Sequence, residues 1–230
     1  MIILTAANYK FTKIINLFVK HTNRLNYETL IYDLGKLGYG KNYNIQNEFF
    51  QEKGYYCQIK NTWKTKAIHK PKIILDALKT YKQKIAYLDA DAILYKRIDE
   101  IEEQEFDVGF TIRRESELID EPLEHHKFVM GNINAGVIFF NYNTTSLDFL
   151  FEWIKLCETE KNDQLALNLL LNINLPRNGI TNYKNINILT VPTDIYNFYY
   201  FEENYTNNTK IIHYKNNLWT NGFQYRNILL

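Results

Sequence analysis

The chain has 230 residues, of which 46% are hydrophobic and 23% are charged, and its formal net charge at pH 7 is +1. This length suits one large hydrophobic core, so we expect a single domain over residues 1–230. The near-neutral charge supplies no field that would gather phosphates, which excludes nucleic acid as the expected partner. No apolar run approaches the ~20 residues of a membrane span.

The cellular setting is inferred from the cysteines and from the N-terminus. Cys57 and Cys157 are the two cysteines, and no Cys/His spacing resembles a zinc site, which favours a reducing environment. The opening run Ile2-Ile3-Leu4 is too short for a signal peptide and lacks a basic start. We therefore expect a cytoplasmic protein. The excess of Asn and Lys resembles the codon bias of an AT-rich bacterial or viral genome, and a viral protein would act in the host cytoplasm.

An apolar N-terminal strand leads through small residues into an amphipathic helix over residues 14–19. A strand, a turn of small residues and a helix amino end form a natural cradle for a nucleotide. In this turn Thr5, Ala6 and Asn8 would offer hydrogen bonds, and Tyr9 would stack on a base. An ordinary strand-to-helix turn is the equal alternative. No glycine fingerprint is present, which argues against a dinucleotide site.

The rest of the chain alternates between strand and helix patterns, which predicts a largely parallel sheet. Further strands are predicted at residues 29–32, 55–60, 85–88, 108–113, 137–140, 186–191, 195–201 and 211–215, and helices at residues 44–53, 71–81, 97–105, 146–158 and from residue 163 onward. The polar segment 115–130 is predicted to be a loop that covers a ligand.

A basic cluster precedes the helix that begins near Pro71, and it consists of Lys64, Lys66, His69 and Lys70. Such lysines usually form a solvated face. We interpret Lys70 differently from the others and expect it to contact a diphosphate or a sugar.

Two carboxylates, Asp89 and Asp91, follow the apolar run of residues 85–88. Open α/β sheets bind ligands at the carboxyl ends of their strands. Two acids at the edge of a core are unfavourable unless a partner compensates them, and a divalent cation is a good partner for a carboxylate pair. We interpret Asp89-Ala90-Asp91 as a metal site. The alternative is that one Asp caps the next turn while the other is solvated, because this short pattern is common by chance.

Three later segments carry weaker signals. Asn134 stands where a core strand begins and suits recognition of sugar hydroxyls, and small residues follow it, permitting close backbone approach to a ligand. Asp163 and Gln164 open a helix, where Asp163 suits the helix dipole, a purely structural role. His213 closes an apolar strand just before Lys215, and a lone histidine in such a place is more often structural than a ligand.

Taken together, these segments resemble the glycosyltransferase A fold of glycogenin, of bacterial lipopolysaccharide galactosyltransferases and of related nucleotide-diphospho-sugar transferases. The segments that carry the resemblance are Leu88-Asp89-Ala90-Asp91, Asn134-Ala135-Gly136-Val137, Asp163-Gln164 and His213, in this order. The resemblance implies a single Rossmann-like α/β domain, with a mixed, mostly parallel sheet flanked by helices.

The resemblance also implies ligands and roles. Asp89, Asp91 and His213 would bind Mn²⁺, with Mg²⁺ as the alternative, and the turn from Thr5 to Tyr9 would hold the uridine of a UDP-sugar. Asn134, Asp163 and Gln164 would line the sugar and the acceptor, which is a glycan or glycoconjugate. The nucleotide diphosphate would be contacted by Asp89, Ala90, Lys70 and Lys215.

The chemistry of sugar transfer explains this set of residues. Breaking the anomeric C–O bond releases a nucleoside diphosphate, whose developing charge a bound cation neutralises as a Lewis acid. Asp163 would be the general base if the configuration inverts. If it is retained, as the resemblance implies, Asp163 would orient or stabilise the cationic sugar.

Two other functions are compatible with parts of this pattern. A sugar-phosphate nucleotidyltransferase would need a signature rich in glycine and basic residues after the first strand, which the turn from Thr5 to Tyr9 lacks. A non-catalytic sugar-nucleotide binding module is disfavoured because Asp89, Asp91 and His213 are intact. The tyrosines from Tyr196 to Tyr205 are interpreted as core residues, with packing on an acceptor or on a second subunit as the alternative, so a homodimer stays open.

Overall fold

The computed structural model describes residues 1–34, 37–38, 44–45, 69–114, 132–160, 162–199 and 206–214. Several predictions lie outside these residues: the helix beyond Ile45, the strand at 55–60, the loop at 115–130, Lys64, Lys66 and Lys215. The expectation of one domain over the whole chain stays a prediction.

The described residues contain eleven strands. These are β1 (Ile2–Ala7), β2 (Glu28–Asp33), β3 (Asn44–Ile45), β4 (Ile85–Leu88), β5 (Ala92–Leu94), β6 (Val108–Ile112), β7 (Ile133–Phe140), β8 (Gly179–Tyr183), β9 (Ile186–Pro192), β10 (Phe198–Tyr199) and β11 (Ile211–His213). Eight of them form a sheet in the order β3-β2-β1-β4-β7-β6-β9-β8. The pairs from β3 to β4 and the pair β6/β9 are parallel, whereas the two pairs made by β7 and the pair β8/β9 are antiparallel. The prediction of a mixed, mostly parallel sheet is confirmed.

Helices flank this sheet. They are α1 (Thr12–Arg24), α2 (Lys70–Tyr81), α3 (Asp99–Glu103), α4 (Thr144–Glu160), α5 (Asp163–Leu171) and α6 (Thr193–Tyr196), with a 3-10 turn at Tyr9–Phe11. Their ends follow local chemistry. Pro71 lies in the first turn of α2, where its missing N–H is not needed. The Asn162 side chain caps α5 by accepting a hydrogen bond from the Leu165 N–H at 2.9 Å.

The hydrophobic core lies on both faces of the sheet. On one face α2, α4 and α5 bury residues such as Ile74 and Trp153 against β1, β4 and β7. On the other face α1 buries Phe18 against the sheet and against β5 and β11. Because the central strands are covered on both sides, every residue of β4 and β7 is buried.

A small second sheet joins the middle of the chain to its far end. Its strand order is β10-β11-β5, and β11 runs antiparallel to β5, so that His213 lies opposite Ala92. The Tyr214 N–H extends this pairing by donating to the Asp91 carbonyl at 2.9 Å. This register places the last described strand beside the turn that carries the two aspartates.

Some predicted elements differ from the observed ones. The helix predicted at residues 44–53 is wrong at its start, because Asn44–Ile45 pairs with β2 as a strand. The strand predicted at 195–201 does not begin where expected, because its first residues end α6, and of its described residues only Phe198–Tyr199 forms a strand. Strands β5 and β8 were not predicted. Within the described residues, every helix is too short or too polar to cross a bilayer.

Candidate active site

A cavity of about 560 Å³ opens at the carboxyl ends of β1 and β4, beside the amino ends of β7 and α5. This volume lies within the range typical of small-molecule sites. Ten of the predicted site residues line it: Ala6, Asn8, Lys70, Asp89, Ala90, Asp91, Asn134, Asp163, Gln164 and His213. The fold therefore gathers residues from six separate segments of the chain around one space.

Among the described residues, two predicted site residues do not line this cavity. Thr5 is fully buried in β1, Tyr9 is 52% exposed in the 3-10 turn, and Lys215 lies outside the described residues. Their contacts with a nucleotide stay predictions. Arg113 and Asn162 line the cavity but were not predicted as site residues. Arg113 had one available signal, since the predicted strand at residues 108–113 ends on it.

The two aspartates lie at a corner of the backbone between the two sheets. The Asp89 N–H donates to the Gly136 carbonyl at 2.8 Å, which extends the pairing of β4 with β7 by one residue. The Ala92 N–H then donates to the Asp89 carbonyl at 2.8 Å, closing a tight turn through Ala90 and Asp91. The chain leaves one sheet and enters the other within three residues, so both carboxylates remain at the cavity wall.

The pairing of β11 with β5 brings His213 to this corner. The His213 Nε2 atom lies 3.2 Å from Asp91 Oδ1 and 4.0 Å from Asp89 Oδ2. No local pattern predicts that a strand near residue 212 meets the acidic turn more than 100 positions earlier. Three predicted metal ligands therefore meet, although they come from two distant segments of the chain.

Lys70 is a buried cation of the site. Its Nζ atom lies 2.8 Å from Asp163 Oδ2 and 3.0 Å from Asp89 Oδ1, and it donates to the Ala135 carbonyl at 2.7 Å. The side chain is only 8% exposed. Burial by itself would lower the pKa of Lys70, but Asp163 and then Asp89 outweigh burial and hold the pKa above its usual value. Lys70 therefore stays charged and ties the acidic turn to the first turn of α5.

Asp89 is held less favourably as an anion. Burial raises the pKa of the Asp89 carboxyl, and the nearby charge of Lys70 offsets this only in part. Asp91 and Asp163 add like-charge repulsion. A second cation at this corner would stabilise the ionised form.

The donor set of Asp89, Asp91 and His213 fits a divalent metal ion, because two carboxylate oxygens and one imidazole nitrogen suit Mn²⁺ better than Mg²⁺. No group of three acidic, His or Cys side chains in the described ranges forms a ready-made metal cluster. The reason is visible at Asp89, whose Oδ1 is engaged by Lys70 and whose Oδ2 lies 4.0 Å from the imidazole. The ligand chemistry fits, and metal binding stays a prediction.

Asn134 is the second residue of β7, close to the predicted entry of the strand, and its side chain points into a buried polar network. Its Oδ1 atom accepts from the Gly136 N–H at 2.8 Å and from Asn197 Nδ2 at 2.8 Å, and its Nδ2 group donates to the Tyr199 hydroxyl. The predicted contact of Asn134 with a sugar stays a prediction. Asn197 and Tyr199 were not predicted as site residues.

Gly136 makes room for the histidine. A Cβ atom at this position would lie 2.6 Å from His213 Cε1 and 2.9 Å from His213 Nδ1, closer than packed atoms approach. The small residues at 135–136 were predicted to allow close approach of a ligand. At Gly136 the close neighbour is the imidazole of His213.

Comparisons with known proteins agree on the fold. No family model and no curated protein sequence matches the chain. Among solved structures, the galactosyltransferase LgtC in complex with donor and acceptor sugar analogs aligns over 94% of this chain and 87% of its own, with a TM-score of 0.58 and 17% identity. A glycosyltransferase involved in glycosylation of the major capsid of PBCV-1 aligns over 93% and 92%, with a TM-score of 0.55 and 14% identity.

The glycosyltransferase GlyE of Streptococcus pneumoniae aligns over 95% of this chain and 56% of its own, with a TM-score of 0.55 and 18% identity. All three similar structures are glycosyltransferases of the predicted architecture. The chain therefore has the glycosyltransferase A fold, as the resemblance in its sequence implied. Because these identities are low, the comparisons show the fold alone, and the activity has to be argued from the site.

Proposed function

We propose that this protein is a metal-dependent glycosyltransferase that moves a sugar from a nucleotide-sugar, with a UDP-sugar as the donor, to a hydroxyl of a glycan or glycoconjugate. The observation that carries the proposal is the meeting of Asp89, Asp91 and His213 at the wall of a cavity large enough for such a donor. The fold adds support, since the LgtC structure was obtained with donor and acceptor sugar analogs.

The metal ion is the first element of the mechanism. Mn²⁺ held by the two aspartates and the histidine would act as a Lewis acid for the departing diphosphate. The raised pKa of Asp89 supports this assignment, because an acid that burial disfavours as an anion gains from a bound cation. Ala6 and Asn8, at the end of β1, line the same cavity and would contact the nucleotide.

Asp163 and Gln164 stand at the first turn of α5, where they would face the sugar. One oxygen of Asp163 is paired with Lys70 at 2.8 Å. That pairing holds the carboxylate in one orientation at the cavity wall, which suits a role in orienting the sugar. The arrangement favours transfer with retention, in which Asp163 orients the sugar and Lys70 holds Asp163.

The test is release of UDP from a panel of UDP-hexoses, measured with Mn²⁺, with Mg²⁺ and with a chelator. We expect turnover with Mn²⁺ and none with the chelator. Asp91→Asn should lower turnover by at least about 100-fold, since a metal ligand contributes several kcal/mol to stabilising the leaving group. Asp148→Asn, on the exposed face of α4, is the matched control and should keep full turnover.

Two results would contradict the proposal. Turnover that survives the chelator would remove the metal from the mechanism. A rise in melting temperature with UDP-sugars but no release of UDP under any condition would identify a binding module instead of an enzyme.

A further inference from the structure

A chain of four buried polar groups ends at the His213 ring, and we call it the amide relay. It consists of the Gly136 N–H, the side-chain amides of Asn134 and Asn197, and the His213 ring. The successive distances are 2.8 Å from Gly136 N to Asn134 Oδ1, 2.8 Å from Asn134 Oδ1 to Asn197 Nδ2, and 2.9 Å from Asn197 Oδ1 to His213 Nδ1. Both amides and the ring are buried.

The relay fixes the orientation of each amide. A backbone N–H can only donate, so the Asn134 atom that faces Gly136 must be the carbonyl oxygen. The Asn197 atom that faces this oxygen must then be the NH₂ group, which donates to Thr111 Oγ1 at 3.0 Å as well. The hydrogen-bond partners therefore assign the oxygen and the nitrogen of each side-chain amide.

The last step fixes the histidine. With its NH₂ group directed at Asn134 and Thr111, Asn197 presents its oxygen to the ring. An amide oxygen only accepts, so His213 Nδ1 must carry the proton. In the neutral ring Nε2 then bears the lone pair, and Nε2 is the atom that lies 3.2 Å from Asp91 Oδ1.

We propose that Asn197 is a positioning residue that holds His213 in the Nδ1–H tautomer, so that its Nε2 lone pair is presented to a cation at Asp89 and Asp91. The metal in this statement rests on the proposed function, whereas the tautomer does not. A lone pair aimed at carboxylate oxygens gains nothing unless a cation lies between them. The relay therefore prepares the ring for a metal before the metal binds.

The relay is also a rigid support. Gly136 supplies its fixed donor and leaves the space that the ring occupies, since a Cβ at this position would collide with the imidazole. The Asn134 NH₂ group is anchored by the Tyr199 hydroxyl on β10. Strands β7, β10 and β11 therefore each contribute to the orientation of one imidazole, which explains why buried amides stand in an otherwise apolar region.

The tautomer is tested directly by long-range ¹H–¹⁵N NMR of the full-length, metal-free protein labelled with ¹⁵N-histidine, at a pH where imidazoles are neutral. The His213 signal is assigned by its loss in His213→Gln. We expect a protonated Nδ1 and a bare Nε2. A proton on Nε2 would overturn the proposal, whether or not the protein proves to be a glycosyltransferase.

Variants separate positioning from general packing. Asn197→Leu removes the acceptor, so we expect the fixed tautomer to be lost and the affinity for Mn²⁺, measured by titration calorimetry, to fall about 10- to 100-fold. Thr111→Val is the matched control, because it removes another partner of Asn197 and keeps both hydrogen bonds that define the tautomer. It should lower the melting temperature but leave the tautomer and the Mn²⁺ affinity unchanged.

Asn197→Asp provides a second test in case the Asn197→Leu variant fails to fold. Its carboxylate still accepts from His213 Nδ1. The second carboxylate oxygen faces Asn134 Oδ1, so the Asn134 amide has to turn its NH₂ group toward it, and the Thr111 hydroxyl can donate to it as well. The tautomer should be kept, and the Mn²⁺ affinity should exceed that of Asn197→Leu. Equal losses in Asn197→Leu and Thr111→Val, or a bare Nδ1 in Asn197→Asp, would overturn the proposal. If wild-type His213 shows the expected tautomer but no Mn²⁺ binds, the proposed function fails while the assignment of the tautomer stands.

Discussion

At the level of single residues, Lys70 contributes both to the candidate active site and to the stability of the fold. Its ammonium group pairs with two carboxylates, that of Asp163, which is buried, and that of Asp89, which is partly exposed. Removing one partner of a buried ion pair is far more harmful than replacing the whole pair, because the other charges stay behind without compensation.

We expect Lys70→Met to lower the free energy of unfolding by about 3–5 kcal/mol in denaturant titrations. Lys72→Met is the matched control on the same helix. Lys72 pairs with Glu158 at 2.9 Å at the surface, where such pairs contribute about 1 kcal/mol or less. Similar losses for the two variants would show that the Lys70 network is not a buried ion pair of this strength.

Gly136→Ala tests the space reserved for His213. The added methyl group would overlap the imidazole, so the ring has to move away from Asp91. We expect loss of Mn²⁺ affinity, measured by calorimetry, together with a lower melting temperature.

Gly109→Ala separates these two effects. A Cβ at Gly109 would lie 3.0 Å from the Phe139 Cβ, so this variant also crowds the central sheet but does not touch the site. It should lower the melting temperature and leave Mn²⁺ affinity intact. Equal Mn²⁺ affinity in Gly136→Ala and Gly109→Ala would contradict the role given to Gly136.

At the scale of elements, α1 carries a histidine that makes the fold sensitive to acid. His21 is buried against Tyr95, with ring centroids 4.6 Å apart. Burial, followed by the charges of Arg24 and Lys20, lowers the pKa of His21 to about 4. The folded protein therefore holds His21 neutral where the unfolded chain, with a histidine pKa near 6.5, already binds a proton.

The sign of the resulting pH dependence follows from proton uptake. Between about pH 6.5 and pH 4 the unfolded state binds more protons, so acidification destabilises the fold, by up to roughly 3 kcal/mol from this group. We expect His21→Phe to flatten the slope of unfolding free energy against pH in this window. An unchanged slope in denaturant titrations at pH 4 to 7 would show that His21 does not cause it.

The elements that were predicted correctly are those in which burial determines the pattern of apolar residues. Strand β4 is a continuous apolar run, because it is covered on both faces, and its end marks the acidic turn directly. The α5 cap at Asn162 was equally visible, since a side-chain oxygen at that position has one common use. The edge strand β8 was missed because its residues are half-exposed or exposed and form neither an alternating nor a continuous apolar pattern.

Elements whose structure depends on distant partners were not predicted. Asn44–Ile45 reads as part of a helix in isolation, and only its pairing with β2 makes it extended. The relay residue Asn197 gave no signal either. A single polar residue between apolar ones forms no motif, and its meaning comes from β7 and His213, which lie far away in the sequence.

At the scale of the whole molecule, the site exists because the last described strand returns to the middle of the chain. The pairing of β11 with β5 places His213 beside Asp91, while the pairing of β4 with β7 places the relay behind it. The order of the segments along the chain suggested this meeting only through resemblance to a known fold. The register of the two sheets now supplies its physical cause.

The most direct test of this account asks which atoms surround the metal. Electron spin echo measurements on Mn²⁺ bound to the protein with UDP detect a directly coordinated imidazole nitrogen. We expect this nitrogen coupling in the wild-type protein and its loss in His213→Gln. Bound Mn²⁺ that shows no nitrogen coupling, or a coupling that survives in His213→Gln, would contradict a cation held jointly by the acidic turn and the end of the chain.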